Sequence, residues 1–171
     1  NKIIYILQQI SLMNIRLFRR ISISIVVCLL IGFLGSIATQ TSVDGWFTTL
    51  EKPFFNPPNW LFAPVWTLLY VMMGIAAGLV WYRGLHHVWV KTALYHFLFQ
   101  LFLNLSWSVV FFGLKEPLWA LMVIVALIIL LLLTIRWFKI ADKKAAYLLI
   151  PYLLWVLSAA ALNFEIWRLN A

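Results

Sequence analysis

Five long stretches of the chain carry no Asp, Glu, Lys or Arg: residues 21–43, 53–82, 92–114, 117–135 and 145–164. A bilayer core ~30 Å thick is crossed by about 20 helical residues at ~1.5 Å each. The pattern therefore predicts an all-α integral membrane bundle of five transmembrane helices, at about 21–41, 61–82, 92–112, 117–137 and 145–167. The second stretch is too long for one helix. Pro53, Pro57, Pro58 and Pro64 make its first third extended or turning, so that helix starts near Leu61 with Pro64 in its first turn. This divides the chain into an N-terminal cytoplasmic or interfacial segment, residues 1–20, and a transmembrane domain, residues 21–171, whose longest loop is 42–60.

Composition removes the alternatives. Hydrophobic residues are 65% of the 171 and charged residues 11%. A soluble enzyme, a disordered chain and a disulfide scaffold are excluded, because such a chain has no way to hide its apolar surface from water. The net charge of +8 reads as a topology signal. With the N-terminus cytoplasmic, ten basic residues fall inside (Lys2, Arg16, Arg19, Arg20, Arg83, Lys91, Arg136, Lys139, Lys143, Lys144) and three outside (Lys52, Lys115, Arg168). No basic cluster lies on a soluble module, so nucleic acid is not an expected partner; the lipid bilayer is. Arg16–Arg20 ahead of an apolar run and Ser36-Ile37-Ala38 imitates a signal peptide, but the run exceeds an ordinary h-region, and a retained helix is expected. Ile3, Ile6, Leu7 and Ile10 do not make a span; they read as an interfacial helix or as sequence upstream of a start at Met13.

Candidate chemistry is sparse. Cys28 is the one cysteine and sits inside the first helix. No zinc spacing, phosphate loop or nucleophile elbow is present, so neither a metal nor a required cofactor is expected. Loop 42–60 holds Trp46, Phe47, Phe54, Phe55 and Trp60 among prolines, and reads either as an aromatic belt or as a lid over the bundle mouth. The third helix carries His96, Gln100, Asn104 and Ser108 at every fourth position, which is either interhelical hydrogen bonding or the polar edge of a pocket. His96 has no second His or carboxylate at its depth and reads as a structural histidine. Pro151, Trp155, Ala159 and Asn163 make a similar stripe on the fifth helix. Gly74 and Gly78 form a small-xxx-small pair that packs helices within one chain or between two. The fourth helix, almost purely aliphatic, reads as a lipid-facing scaffold. Of the ten tryptophans, Trp66, Trp107 and Trp155 lie away from helix ends, and periodicity alone favours packing for them.

The run Trp46-Phe47-x-x-Leu50-x-Lys52-Pro53-Phe54-Phe55-Asn56-Pro57-Pro58-Asn59-Trp60, then Pro64-Val65-Trp66-Thr67-Leu68-Leu69-Tyr70 and Met73-Gly74, resembles the tryptophan-rich sensory protein family, also called the translocator protein or peripheral-type benzodiazepine receptor family. Leu103-Asn104-x-x-Trp107 with Phe111-Phe112-Gly113, and Pro151-Tyr152-Leu153-x-Trp155 with Leu162-Asn163-x-x-x-Trp167-Arg168-x-Asn170, extend the resemblance over about residues 21–170. It implies a five-helix bundle, often dimeric, that binds porphyrins, sterols and benzodiazepine-type ligands beneath the first loop. It also implies that Trp66 and Trp155 line the pocket and take part in light-dependent porphyrin breakdown, with Asn104, Trp107 and Ala159 in the wall. The family's bacterial branch implies a bacterial inner membrane. Phe164 stands where the family's sterol segment usually has Tyr, so sterol transport is not expected.

Together these readings give a ligand-binding set of Trp46, Trp66, Tyr70, Gln100, Asn104, Trp107, Trp155, Ala159 and Asn163. The expected function is binding, sensing or transport of porphyrins and similar flat apolar ligands, with propionates meeting Lys52 or Arg168 at the mouth. Two alternatives remain: an enzyme degrading porphyrin with light and oxygen, for which Trp66 and Trp155 are the candidates, and a scaffold for partner membrane proteins. No acid–base pair supports ordinary catalysis.

Overall fold

The computed structural model describes residues 2–171, and for residues 2–11 and Thr41 the backbone alone. Seven helices follow in order: α1 (Lys2–Val43), the single-turn α2 (Trp46–Thr49), α3 (Asn59–Tyr82), α4 (Val88–Ser108), α5 (Pro117–Ala141), α6 (Lys143–Leu148) and α7 (Ile150–Asn170). Five segments are long and apolar enough to cross a bilayer: Leu12–Gln40, Asn59–Tyr82, Val88–Gly113, Pro117–Ala141 and Lys143–Asn170. The last is α6 and α7 in succession.

The first helix departs most from expectation. It is continuous from Lys2 to Val43, and its 42 residues make it about 63 Å long. No proline lies in it and the first glycine is Gly32, so nothing in the sequence breaks it early. Arg16 to Arg20 lie within the helix and do not start it. Arg20 donates from Nη1 to the Trp81 carbonyl at 2.7 Å and lies over the Trp81 ring, capping the last turn of α3. The interfacial reading of Ile3, Ile6, Leu7 and Ile10 concerns side chains outside the described residues.

The helices form a ring in which α1 packs on α3 and α4, α5 on α4 and α7, and α6 back on α3. Gly74 and Gly78 work within the chain. A Cβ on Gly74 would collide with the Ile25 backbone, and one on Gly78 would stand 2.5 Å from the Ile21 Cα. Gly32 instead makes room for a side chain, since a Cβ there would stand 2.5 Å from the Tyr70 ring. The fourth span is more than a lipid-facing scaffold. Ala120, Ile124, Leu127, Leu131, Thr134 and Phe138, alternately four and three apart, form its buried stripe, while Met122, Val125, Ile129 and Leu132 face outward. Uniform aliphatic composition concealed that stripe.

At one end the ring is closed by charge. Asp142 accepts from the Lys144 and Ala145 amides, capping α6, and takes Arg83 at the end of α3 as its ion-pair partner. Burial pushes the Asp142 carboxyl up, but the Arg83 hydrogen bond, the Ala145 and Lys144 amides and the Arg83 charge together hold it below the usual carboxylate range. The fifth span then breaks at Leu149, with Pro151 at the start of α7. Whereas α6 packs closely on α3, α7 meets α3 chiefly through long side chains, with Tyr152 and Trp155 against Trp66.

Candidate functional site

At the other end, α3, α4 and α7 bring their aromatic residues together beneath α2. Trp66 is the centre. Its ring stacks on Tyr70 (centroids 5.7 Å apart) and lies 6.4 Å from Trp107, 6.2 Å from Tyr152 and 6.5 Å from Trp155. The Trp155 contact is edge to face, at 88°, an arrangement favoured by the ring quadrupoles. Trp107 in turn stacks on Phe111. The α4 helix ends in a π-helical turn, Val109–Gly113, in which Leu114 N–H reaches back to the Val109 carbonyl. Both Phe111 and Phe112, adjacent in sequence, are buried there. Ser42, at the end of α1, donates to the Phe112 carbonyl at 2.6 Å.

A polar chain runs beneath the rings. Tyr70 donates to Asn104 Oδ1 at 2.5 Å, Asn104 Nδ2 to the Tyr152 oxygen at 3.1 Å, and Tyr152 to Gln100 Oε1 at 2.9 Å. Trp107 Nε1 donates to Asn163 Oδ1 at 3.0 Å, and Asn163 Nδ2 to the Pro117 carbonyl at 2.8 Å. Each of these groups lies where water does not reach, so each must find a protein partner. Gln100 Nε2 is buried without one among the described residues. Among the described residues no charged side chain joins this hydrogen-bonded chain. Among the described residues no group of three or more His, Cys, Asp or Glu could hold a metal.

The nine residues of the expected set thus fall in one contiguous region. Trp46 packs edge-on against Phe111 at 5.8 Å, and Ala159 shares a small void with Trp107 and Asn163. The every-fourth-residue stripes are only half used. Steps of four advance ~40° past a full turn, so each stripe winds around its helix. Gln100 and Asn104 reach the network, but His96 sits beside Trp137 with Nδ1 2.8 Å from the Thr92 carbonyl, and Ser108 donates to the Gly35 carbonyl on α1. Pro151 faces outward. Tyr152, Phe47, Phe62, Phe111 and Phe112 belong to the site and were missed. For Tyr152 a signal existed, since it lies seven residues before Ala159 and eleven before Asn163, on one helical face. For the π turn none did.

The loop splits in two. Trp46 and Phe47 turn inward, while Phe54, fully exposed, Phe55 and Trp60 turn out. Lys52 lies over the Phe47 ring and donates to the Leu50 carbonyl. Glu51 and Asn170 exchange two hydrogen bonds, each 3.0 Å, fastening the loop to the end of α7. Arg168 pairs with Glu165. The void beneath the loop, bounded by Phe47, Phe62, Trp107, Phe111, Phe112, Ala159, Leu162 and Asn163, is only about 10 Å³. That is the space of roughly one water. The site's aromatic walls rest on one another, and a ligand must part them.

Comparison with known proteins bears on the whole transmembrane region. The profile of the TspO/MBR family matches residues 24–168. The chain is 50% identical to the tryptophan-rich protein TspO of Archaeoglobus fulgidus over 149 residues, covering 86% of this chain and 95% of that one. It is 34% identical to protein CrtK of Rhodobacter capsulatus (92% and 95% covered) and 35% identical to the human translocator protein (81% and 82% covered).

Proposed function

The chain belongs to the TspO/MBR family, and we propose that it binds porphyrins and similar flat apolar ligands between α3, α4 and α7, as a sensor or carrier of them within the membrane. The observation that carries this reading is Trp66, whose ring touches four other aromatic rings above an uncharged polar floor. A flat conjugated ligand replaces ring–ring contacts with ring–ligand contacts of the same kind, so little is lost when the walls part. An ion or a sugar gains nothing there, because the described groups offer it no charge and few open hydrogen bonds. The names of two relatives, a tryptophan-rich sensory protein of Cereibacter sphaeroides and a translocator protein of Bos taurus, are consistent with sensing or carriage. Lys52 at the loop, with no acidic partner among the described residues, suits a porphyrin propionate better than Arg168, already paired with Glu165. The ten-to-three distribution of basic residues supports a cytoplasmic N-terminus and an external loop.

The test is a dark titration of the purified protein with protoporphyrin, read by tryptophan fluorescence, beside the Trp66→Phe/Trp155→Phe double variant. Saturable quenching that weakens in the variant is expected. Linear quenching, or identical curves, would mean that the porphyrin only partitions into detergent, and would end this reading.

A further inference from the structure

A groove of about 370 Å³ opens between α3 and α7 on the outer surface of the bundle. Val65, Leu68, Leu69 and Met72 form one wall, and Pro151, Leu154, Trp155 and Ser158 the other. It exists because the fifth span breaks at Leu149, so that α7 leans away from α3 after α6 has packed on it. Leu68 and Leu154, each about three-fifths exposed, form its rim within the hydrophobic span. The groove therefore faces lipid rather than water.

Trp155 belongs to both spaces. Its indole lines the groove, and the same ring meets Trp66 and Phe62 edge to face at 6.5 and 6.1 Å. Outside lies a lipid-facing volume of the size that small-molecule sites usually have, ~300–1,000 Å³. Inside lies a site with room for about one water. Elsewhere Gly32 brings α1 against Tyr70, α5 packs along α4, and Glu51 and Asn170 fasten the loop.

We propose that the groove between α3 and α7 is an outer binding station through which the flat apolar ligand passes from the lipid into the aromatic site, with Trp155 as the movable partition. This rests on the porphyrin reading above. The groove's continuity with the site through one shared indole assigns it to that ligand. Its free volume is also the space into which Trp155 swings, a side-chain motion far faster than helix rearrangement. The ligand's apolar ring system never has to enter water on this route.

The experiment places the protein in lipid nanodiscs and follows protoporphyrin binding in the dark by stopped flow at the porphyrin's own absorbance band. Ser158→Trp and Leu68→Trp fill the groove from opposite walls. Each should slow association and dissociation together, by about tenfold, while the equilibrium constant stays near that of the unaltered protein, because a path is blocked and not its end point. Asn170→Ala, which frees the loop, should leave both rates alone. Unchanged rates in the groove variants, or faster association in Asn170→Ala, would overturn the proposal and assign passage to the loop. Two variants on different helices guard against one failing to fold. If the unaltered protein shows no saturable binding, the porphyrin reading itself fails, which is distinct from saturable binding with unaffected rates.

Discussion

Along α3, the side facing α1 carries Gly74 and Gly78 against the Ile25 and Ile21 backbones, whereas the side facing α7 carries Val65, Leu68 and Met72 beside a groove of about 370 Å³. One helix thus has a seam where backbones nearly touch and another where long side chains line an opening. In lipid no hydrophobic effect drives helices together, so association depends on close packing and interhelical hydrogen bonds. The glycine seam has the packing, and the α3–α7 seam has little of it. Size at a few positions therefore decides which side of α3 is fixed and which can yield.

The contrast breaks most readily at Gly78. Gly78→Leu pushes a branched side chain into the Ile21 backbone and should cost at least ~3 kcal/mol, at the top of the overpacking range. Thermal unfolding in detergent, followed by helical signal and gel filtration, should show loss of the folded bundle; a near-native midpoint would mean that the helices do not approach so closely. Next is Asn104→Leu, which strands the Tyr70 hydroxyl and takes away the amide that donates to the Tyr152 oxygen. It should cost ~1–3 kcal/mol, read as a lowered midpoint, and a neutral result would show that water or alternative partners replace the amide.

The Arg83–Asp142 tie sharpens the comparison, since it holds α3 to α6 just before α7 departs. Asp142→Asn keeps a capping acceptor but removes the charge facing Arg83, and should destabilise by roughly 0.2–1 kcal/mol at neutral pH. Because the folded carboxyl sits below its ordinary value, its contribution is present above about pH 4, the ordinary carboxylate range, and fades as pH falls through the folded value. The midpoint difference between wild type and variant should hold from pH 7 to 5 and vanish at lower pH; a constant difference would exclude the charge. The smallest effect belongs to the groove. Leu68→Ala, on a rim side chain 60% exposed, should shift stability by no more than about 0.5 kcal/mol.

Span number, and the nearness of the nine expected residues, were legible because they depend on composition over tens of residues and on motifs in fixed order. What escaped depends on single backbone events. The π turn at Val109–Gly113 turns Phe111 and Phe112 inward together, and no periodicity announces it. The break at Leu149 follows from Pro151; its consequence, the groove, depends on where α6 packs. His96 and Ser108 were grouped with Gln100 and Asn104 by a spacing that drifts around the helix. In the loop, five aromatics of one chemical kind split two in and three out, a choice made by which of them the π turn meets.

The glycine seam joins the first two spans of the chain, and only the loop carrying α2 separates them. During synthesis they leave the ribosome before α4 exists, so the tightest contact of the finished bundle is also the first that can form. The α4–α5 pair, likewise consecutive, comes second. The last span arrives at a surface already built, anchored by its leading turn through Asp142 and Arg83, and the loosest seam is the one completed last.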